Sequence, residues 1–190
     1  AKNVVLALGG GEELCWPPWA QRFQAEHAQA PLCHIFGPAF QRAALDACDE
    51  VLIVGAGISA AQLALSLVES NPGQRVTLLS RHSLRQTDFD SDPGWLGPKY
   101  LDRFHSEPSY PKRRAMIREA RVRGSLARDV MLEVDQAMRA GRIQLELCHV
   151  QGATLAGGGE RIELTVHPME LDQETYFRTG EIVSRVSDAL

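Results

Sequence analysis

The chain has 190 residues, 44% of them hydrophobic and 23% charged, with a formal net charge of −4. That is an ordinary globular composition, long enough for one sizeable core. The mild acidity gives no reason to expect nucleic acid, no apolar run approaches the roughly 20 residues of a membrane span, and no secretory leader pattern opens the sequence.

Cys15, Cys33, Cys48 and Cys148 are widely spaced, without a CxxC pair. A zinc site or dithiol redox pair normally needs a closer couple. Idle or buried thiols in a cytoplasmic protein are the expectation, with no metal.

In chain order, residues 3–8 are an apolar, strand-like run ending in Gly9-Gly10-Gly11. The consecutive prolines of Trp16-Pro17-Pro18-Trp19 predict an extended path rather than a helix. Short helices are expected over 20–29 and 38–48. The β-branched run Val51-Leu52-Ile53-Val54 predicts a strand buried on both faces. A turn at Gly55-Ala56-Gly57, a helix from Ser59 to Ser70, a stop at Asn71-Pro72-Gly73 and a second buried strand, Val76–Leu79, complete a βαβ unit.

Residues 82–110 read as loop, rich in Asp, Gly and Pro. A helix is expected after Pro111, and another over 126–140, with Leu126, Val130, Val134 and Met138 four apart and Gly141 as its cap. Ile143, Leu145 and Leu147 alternate, as do Ile162, Leu164 and Val166, around Gly157-Gly158-Gly159, which predicts a strand with an antiparallel return. The fold class is α/β: a Rossmann-like parallel sheet with crossover helices and an antiparallel β excursion. The absence of an initiator Met, and an apolar run starting at Val186 just before the sequence stops, suggest a piece of a longer chain.

Gly55-Ala56-Gly57-Ile58-Ser59-Ala60 matches G-x-G-x-x-A, a dinucleotide fingerprint. Gly55 permits the tight turn, Gly57 lets a pyrophosphate approach the backbone, and Ala60 lets helix and strand come close. The free N–H groups from Ile58 onward and the helix dipole then face the phosphates, and the Ser59 hydroxyl could add a hydrogen bond. The strand before and the helix after supply the context such a motif requires. The alternative is a tight βα turn that binds nothing.

An NAD or FAD site usually ends the second strand on Asp or Glu, which accepts from ribose hydroxyls. Here Ser80, Arg81, His82 and Arg85 follow Leu79, with no carboxylate. The guanidinium's planar donor fork suits a phosphate. Arg81 is therefore expected on the 2′-phosphate of NADPH, with Ser80 or Arg85 beside it. For His82 and Arg85 a purely surface role stands equally open.

Other patterns carry less. Asp88-x-Asp90-x-Asp92 has Pro93 and Lys99 where a calcium loop needs Gly and Glu, so it reads as an acidic turn with capping carboxylates. The basic stretch 112–128 lacks interleaved aromatics and reads as a solvated helix face, with a role near the cofactor phosphates as the second reading. His34 and His105 could face a nicotinamide, but no residue is assigned a catalytic role.

The run Val54 to Gln62 resembles the NADPH motif of class B flavin-dependent monooxygenases, above all the lysine/ornithine N-hydroxylases of siderophore synthesis, whose motif is G-x-G-Q-S-A-A-E. Ile58 stands for its Gln and Gln62 for its Glu. The stretch Phe89–Phe104, the opening Val5–Gly9 with Pro17-Pro18, and the closing Ser187–Leu190 are similar to flanking parts of that family. The resemblance implies an FAD/NAD(P)-dependent oxidoreductase in which NADPH reduces the flavin and the flavin activates oxygen. It implies 1–48 as a crossover from a flavin domain plus linker, 49–168 as the NAD(P)-binding Rossmann domain and 169–190 as the return segment. No second fingerprint occurs, so FAD is expected to be held mainly by the remainder of the flavoprotein. A family segment near the substrate ends in Thr-Asn-Tyr, where this chain has Arg123-Gly124-Ser125. The expected partners are a small-molecule substrate and the rest of the flavoprotein, with self-association left open. A flavin-dependent NAD(P)H reductase without oxygen chemistry, and a non-catalytic NADP(H)-sensing domain, are the alternatives.

Overall fold

The computed structural model describes residues 14–87, 91–122, 124–156 and 161–169. The strand expected over 3–8, the glycines 157–159 and nearly all of the return segment lie outside these residues. Contacts divide the chain into one unit of 1–42 with 150–166 and a second of 43–149 with 167–190.

The second unit is built on the expected βαβ. Strand β1 (Glu50–Val54) leads to helix α3 (Ile58–Ser70), which returns as strand β2 (Arg75–Ser80) parallel to β1, with Val51 opposite Val76 and Val54 opposite Leu79. Asn71 stops α3: its side-chain oxygen accepts from Gly73 N at 3.2 Å and its carbonyl from Gln74 N at 3.0 Å. Helix α6 (Arg128–Arg139) crosses to strand β5 (Ile143–Ala156), parallel to β2. Gly141, at φ +70°, ends α6. Its N–H donates to Met138 O and that of Arg142 to Ala137 O, both at 2.9 Å, so the last carbonyls are satisfied.

Strand β6 (Arg161–Pro168) completes the sheet in the order β1-β2-β5-β6. Met169 N donates to Leu147 O, and Gly152 lies against Thr165, so β6 runs antiparallel to β5, as the alternating pattern predicts. Val51, Ile53, Ala64, Leu67, Val68, Val76, Leu78, Ala137 and Ile143 form one buried cluster between sheet and helices. A second joins Ala61, Leu126 and Val134, with Val130 and Met138 against it.

Several local expectations are corrected. β2, a central strand, is buried from Val76 to Ser80, but β1 is not buried on both faces: Leu52 and Val54 are 43% and 46% exposed. β1 lies at an edge of the sheet, and α3 covers only its Val51/Ile53 side among the described residues. The prolines at 17 and 18 do not exclude a helix. Helix α1 (Pro18–Glu26) starts on the second of them, where a missing N–H costs nothing, and Pro17 is its extended cap residue. Helix α2 (Arg42–Asp46) is much shorter than 38–48.

The stretch 82–110 is not all loop. It contains strand β3 (Arg85–Gln86), a 3₁₀ turn (Pro93–Leu96) and helix α4 (Pro98–Ser106). Asp92 caps the 3₁₀ turn, its carboxylate accepting from Gly94 N at 2.7 Å, the capping role expected of it; Asp88 and Asp90 lie outside the described residues. Helix α5 (Tyr110–Ala120) carries the first basic residues and buries none of its side chains. Arg113 is not simply solvated: it donates to His105 O and Glu107 O at the end of α4 and stacks over Phe104. Leu126 belongs to strand β4 (Ser125–Leu126), parallel to β3, rather than to α6.

In the first unit, α1 buries Trp19, Ala20 and Phe23 on one face. His34 sits between Trp16 and Phe36, ring centroids 5.4 and 5.9 Å away, and its Nδ1 accepts from Phe36 N.

Candidate functional site

The fingerprint lies where it can meet a ligand, at the carboxyl end of two parallel strands. Gly55 has φ +128°, a conformation an L side chain rarely adopts, and its N–H donates to Leu79 O at 2.8 Å, tying the turn to the end of β2. Gly57 caps α3 with ordinary extended dihedrals, φ −81° and ψ 178°, and offers no side-chain oxygen. The first intrahelical bond runs from Ala61 N to Gly57 O. The N–H groups of Ile58, Ser59 and Ala60 therefore have no acceptor within the helix, and the first turn carries no acid. A 13-residue helix ends here with its positive dipole uncompensated.

Protein contacts alone do not explain why residue 57 is glycine. A Cβ there would lie 3.4 Å from the Gly124 Cα, an ordinary contact, at a φ open to any residue. Ile58 is 43% exposed beside the turn, and the Ser59 hydroxyl makes no hydrogen bond among the described residues. Ala60 packs against the core cluster, but the fully buried small residues that bring α3 close are Ala61 and Ala64.

At the end of β2, Ser80 is buried and its hydroxyl is already engaged, donating to His82 O at 2.6 Å and accepting from His82 N at 3.3 Å. Its place is to hold the turn that presents Arg81. Arg81 and Arg85 are exposed, and neither has a carboxylate partner among the described residues. β3 and β4 pair through Arg85 with Ser125 and Gln86 with Leu126, and Gly124 lies against Gly57 of the glycine turn. Gly124, at φ +74°, stands between Gly57 and the His82 ring. Sequence reasoning missed this arrangement, whose only signal was the departure Arg123-Gly124-Ser125.

Elsewhere the chemistry is thinner. A hollow of about 250 Å³ between Gly73, Arg75, Gly141 and Arg142 lies at the opposite end of the sheet. His34 is held by its aromatic neighbours, and His105 is exposed against Phe104. Burial pushes the Cys33 and Cys148 thiols up, the latter helped by the charge of Glu146, which makes neither a ready nucleophile. Among the described residues no three His, Cys, Asp or Glu side chains cluster as metal ligands, and no helix is long and apolar enough to cross a membrane.

No curated protein matches the chain. Among solved structures, the FAD-bound cadaverine monooxygenase DfoA of the desferrioxamine pathway, from Erwinia amylovora, superposes with a TM-score of 0.60 at 12% identity, over 86% of this chain and 42% of that one. The ornithine hydroxylase PvdA from Pseudomonas aeruginosa gives 0.47 at 18% identity, over 66% of this chain and 35% of that one. The ornithine N-hydroxylase KtzI from Kutzneria sp. 744, with reduced FAD, NADP+ and L-ornithine, gives 0.43 at 17%, over 65% and 34%. The DfoA likeness supports the fold; the chain spans only about a third to two fifths of these proteins' lengths. The family profile described as L-lysine 6-monooxygenase/L-ornithine 5-monooxygenase matches residues 1–182. With nearly its whole length matched, the chain belongs to the L-lysine 6-monooxygenase/L-ornithine 5-monooxygenase family.

Proposed function

We propose that the chain is the NADPH-binding portion of an FAD-dependent amine N-hydroxylase. The observation that carries the reading is the uncapped start of α3, entered through Gly55-Ala56-Gly57, with exposed Arg81 and no carboxylate at the end of β2. Family membership supports the same reading.

The residues fit the dinucleotide. The N–H groups of Ile58, Ser59 and Ala60 would take the pyrophosphate, with the Ser59 hydroxyl beside them. Arg81 would take the 2′-phosphate as a two-pronged donor, with Arg85 as a second cation. Ser80 orients Arg81 by closing the turn behind it. Bound there, NADPH supplies the reducing equivalents of the reaction. The chain has a single fingerprint and these residues occupy it, so FAD belongs to the remainder of the flavoprotein. Residues 1–48 and 169–190 then serve as connections to that remainder. The substrate class is a small aliphatic amine, by analogy with cadaverine for DfoA and ornithine for PvdA.

One observation favours a reductase without oxygen chemistry: Arg123-Gly124-Ser125 departs from the family's substrate segment. The full-length protein, supplied with NADPH, oxygen and a panel of aliphatic diamines and diamino acids, separates the two. Hydroxylamine formed in step with NADPH consumption supports N-hydroxylation. NADPH consumption without hydroxylamine leaves the reductase, and no consumption removes both.

A further inference from the structure

The chain between β3 and β4 leaves and returns at one neck, closed by an antiparallel bridge of Ser91 with Arg121. That neck adjoins the glycine turn: β3 follows β2, β4 pairs with β3, and Gly124 lies against Gly57. Beyond the neck stand the 3₁₀ turn, α4 and α5, and none of their side chains is buried. Trp95 lies against Tyr100 and Phe104, with ring centroids 5.5 and 5.9 Å away, and Arg113 stacks on Phe104. Other large apolar side chains stay open: Leu96 is 81% exposed, Tyr110 78% and Ile117 43%. Tyr110, Arg114 and Ile117 fall at i, i+4 and i+7, so they share one face of α5. Helices of 9 and 11 residues are marginal in water unless packing covers an apolar face. The exposed stripe of this excursion is uncovered among the described residues.

We propose that this excursion is the docking surface for the flavin-bearing remainder of the same protein. The proposal rests on the dinucleotide reading above and names the partner with which that site works. A hydride passing from a nicotinamide bound at the glycine turn to the flavin oxidises the one and reduces the other. The remainder must therefore approach the carboxyl end of β1 and β2, where the neck of the excursion stands. The chain spans 42% of the length of DfoA. In a flavoprotein of that size more than half of the polypeptide lies outside these residues, and its tether holds it at high effective concentration. Charge narrows the chemistry of the matching surface. Residues 93–120 carry Lys99, Arg103, Lys112, Arg113, Arg114 and Arg118 against Asp102, Glu107 and Glu119, in a chain of net charge −4. Arg114 and Arg118, one turn apart on α5, are exposed and have no acidic partner among the described residues. The partner surface is apolar where it meets Leu96, Tyr110 and Ile117, and carries carboxylates at its rim for Arg114 and Arg118.

Hydroxyl-radical footprinting of the full-length protein tests it by comparing Leu96 with Leu132, the same side chain at 53% exposure on α6. A free excursion makes Leu96 the faster of the two to react. Docking makes it the slower, and keeps it so at dilutions where light scattering shows a monomer. Leu96 faster than Leu132 overturns the proposal. So does protection that disappears as oligomers dissociate, which assigns the surface to a second copy. Leu96→Glu supplies the functional arm, at a position too exposed to unsettle this chain's own fold. A carboxylate pressed into an apolar contact should slow flavin reduction by NADPH about tenfold or more and leave NADP+ affinity unchanged. Unchanged reduction, or a parallel loss of NADP+ binding, rules the docking surface out. Wild-type protein that binds no NADP+ while Leu96 stays protected sinks the dinucleotide reading and leaves the docking surface standing.

Discussion

At φ +128° a side chain on Gly55 is strained wherever it points, whereas Gly57 sits at φ −81° with ordinary space for a methyl group. The two glycines should therefore separate on substitution. Gly55→Ala is expected to cost about 1–3 kcal/mol of stability through backbone strain. Gly57→Ala should cost under about 1 kcal/mol as a cap change, yet weaken NADP+ binding by tenfold or more, since the methyl group meets the pyrophosphate. Denaturant melts beside equilibrium titrations check both; a Gly57→Ala protein that binds normally would contradict the site. The fingerprint was legible in the sequence because its glycines and Ala60 stand at fixed offsets between a strand and a helix. The role of Ser80 was not, because a hydroxyl's choice between its own turn and a ligand is made by backbone geometry two residues away. His82 and Gly124 were hidden for a related reason: they meet only through the pairing of β3 with β4, two residues each.

Helices α3 and α6 and their ends were readable because periodicity and stop signals agreed: Asn71-Pro72-Gly73 and Gly141 end them as expected. α4 was missed because Gly94, Gly97, Pro93 and Pro98 mark its start in the same way that they would mark a loop. The exposure of Leu52 and Val54 was not readable either, since a β-branched run records strand preference but not which face is covered. Leu67, fully buried between α3 and the sheet, tests the core that holds the turn. Leu67→Ala should lower stability by about 2–5 kcal/mol, measured by urea unfolding; a change under about 1 kcal/mol would contradict a tightly packed α3. Arg113 tests the α4–α5 junction. Arg113→Ala removes hydrogen bonds to His105 O and Glu107 O and the stack on Phe104, so amide hydrogen exchange should quicken at the end of α4 and leave α3 unchanged.

For the molecule as a whole, the four thiols offer a check on how the chain is folded. Cys15 and Cys48 are exposed, Cys33 is half-buried and Cys148 is buried with its thiol pushed up by desolvation and then by Glu146. A raised thiol has less thiolate at any given pH, so Cys148 should alkylate more slowly than Cys15 and Cys48 between pH 7 and 9, as read by mass spectrometry. Equal rates would contradict its placement. The chain spans about a third to two fifths of the length of the relatives described above, and on the proposed reading its own residues hold one cofactor, NADPH. We read the turn of β1 and α3, with Arg81, as an NADPH site. Its most direct test is an equilibrium titration of the full-length protein with NADP+ and with NAD+, wild type beside Arg81→Ala. The charge-assisted contact to the 2′-phosphate predicts that NADP+ binds about ten- to a hundredfold more tightly than NAD+, and that Arg81→Ala removes this preference and leaves NAD+ unchanged. Equal affinities in the wild type, or a preference that survives the substitution, would contradict it.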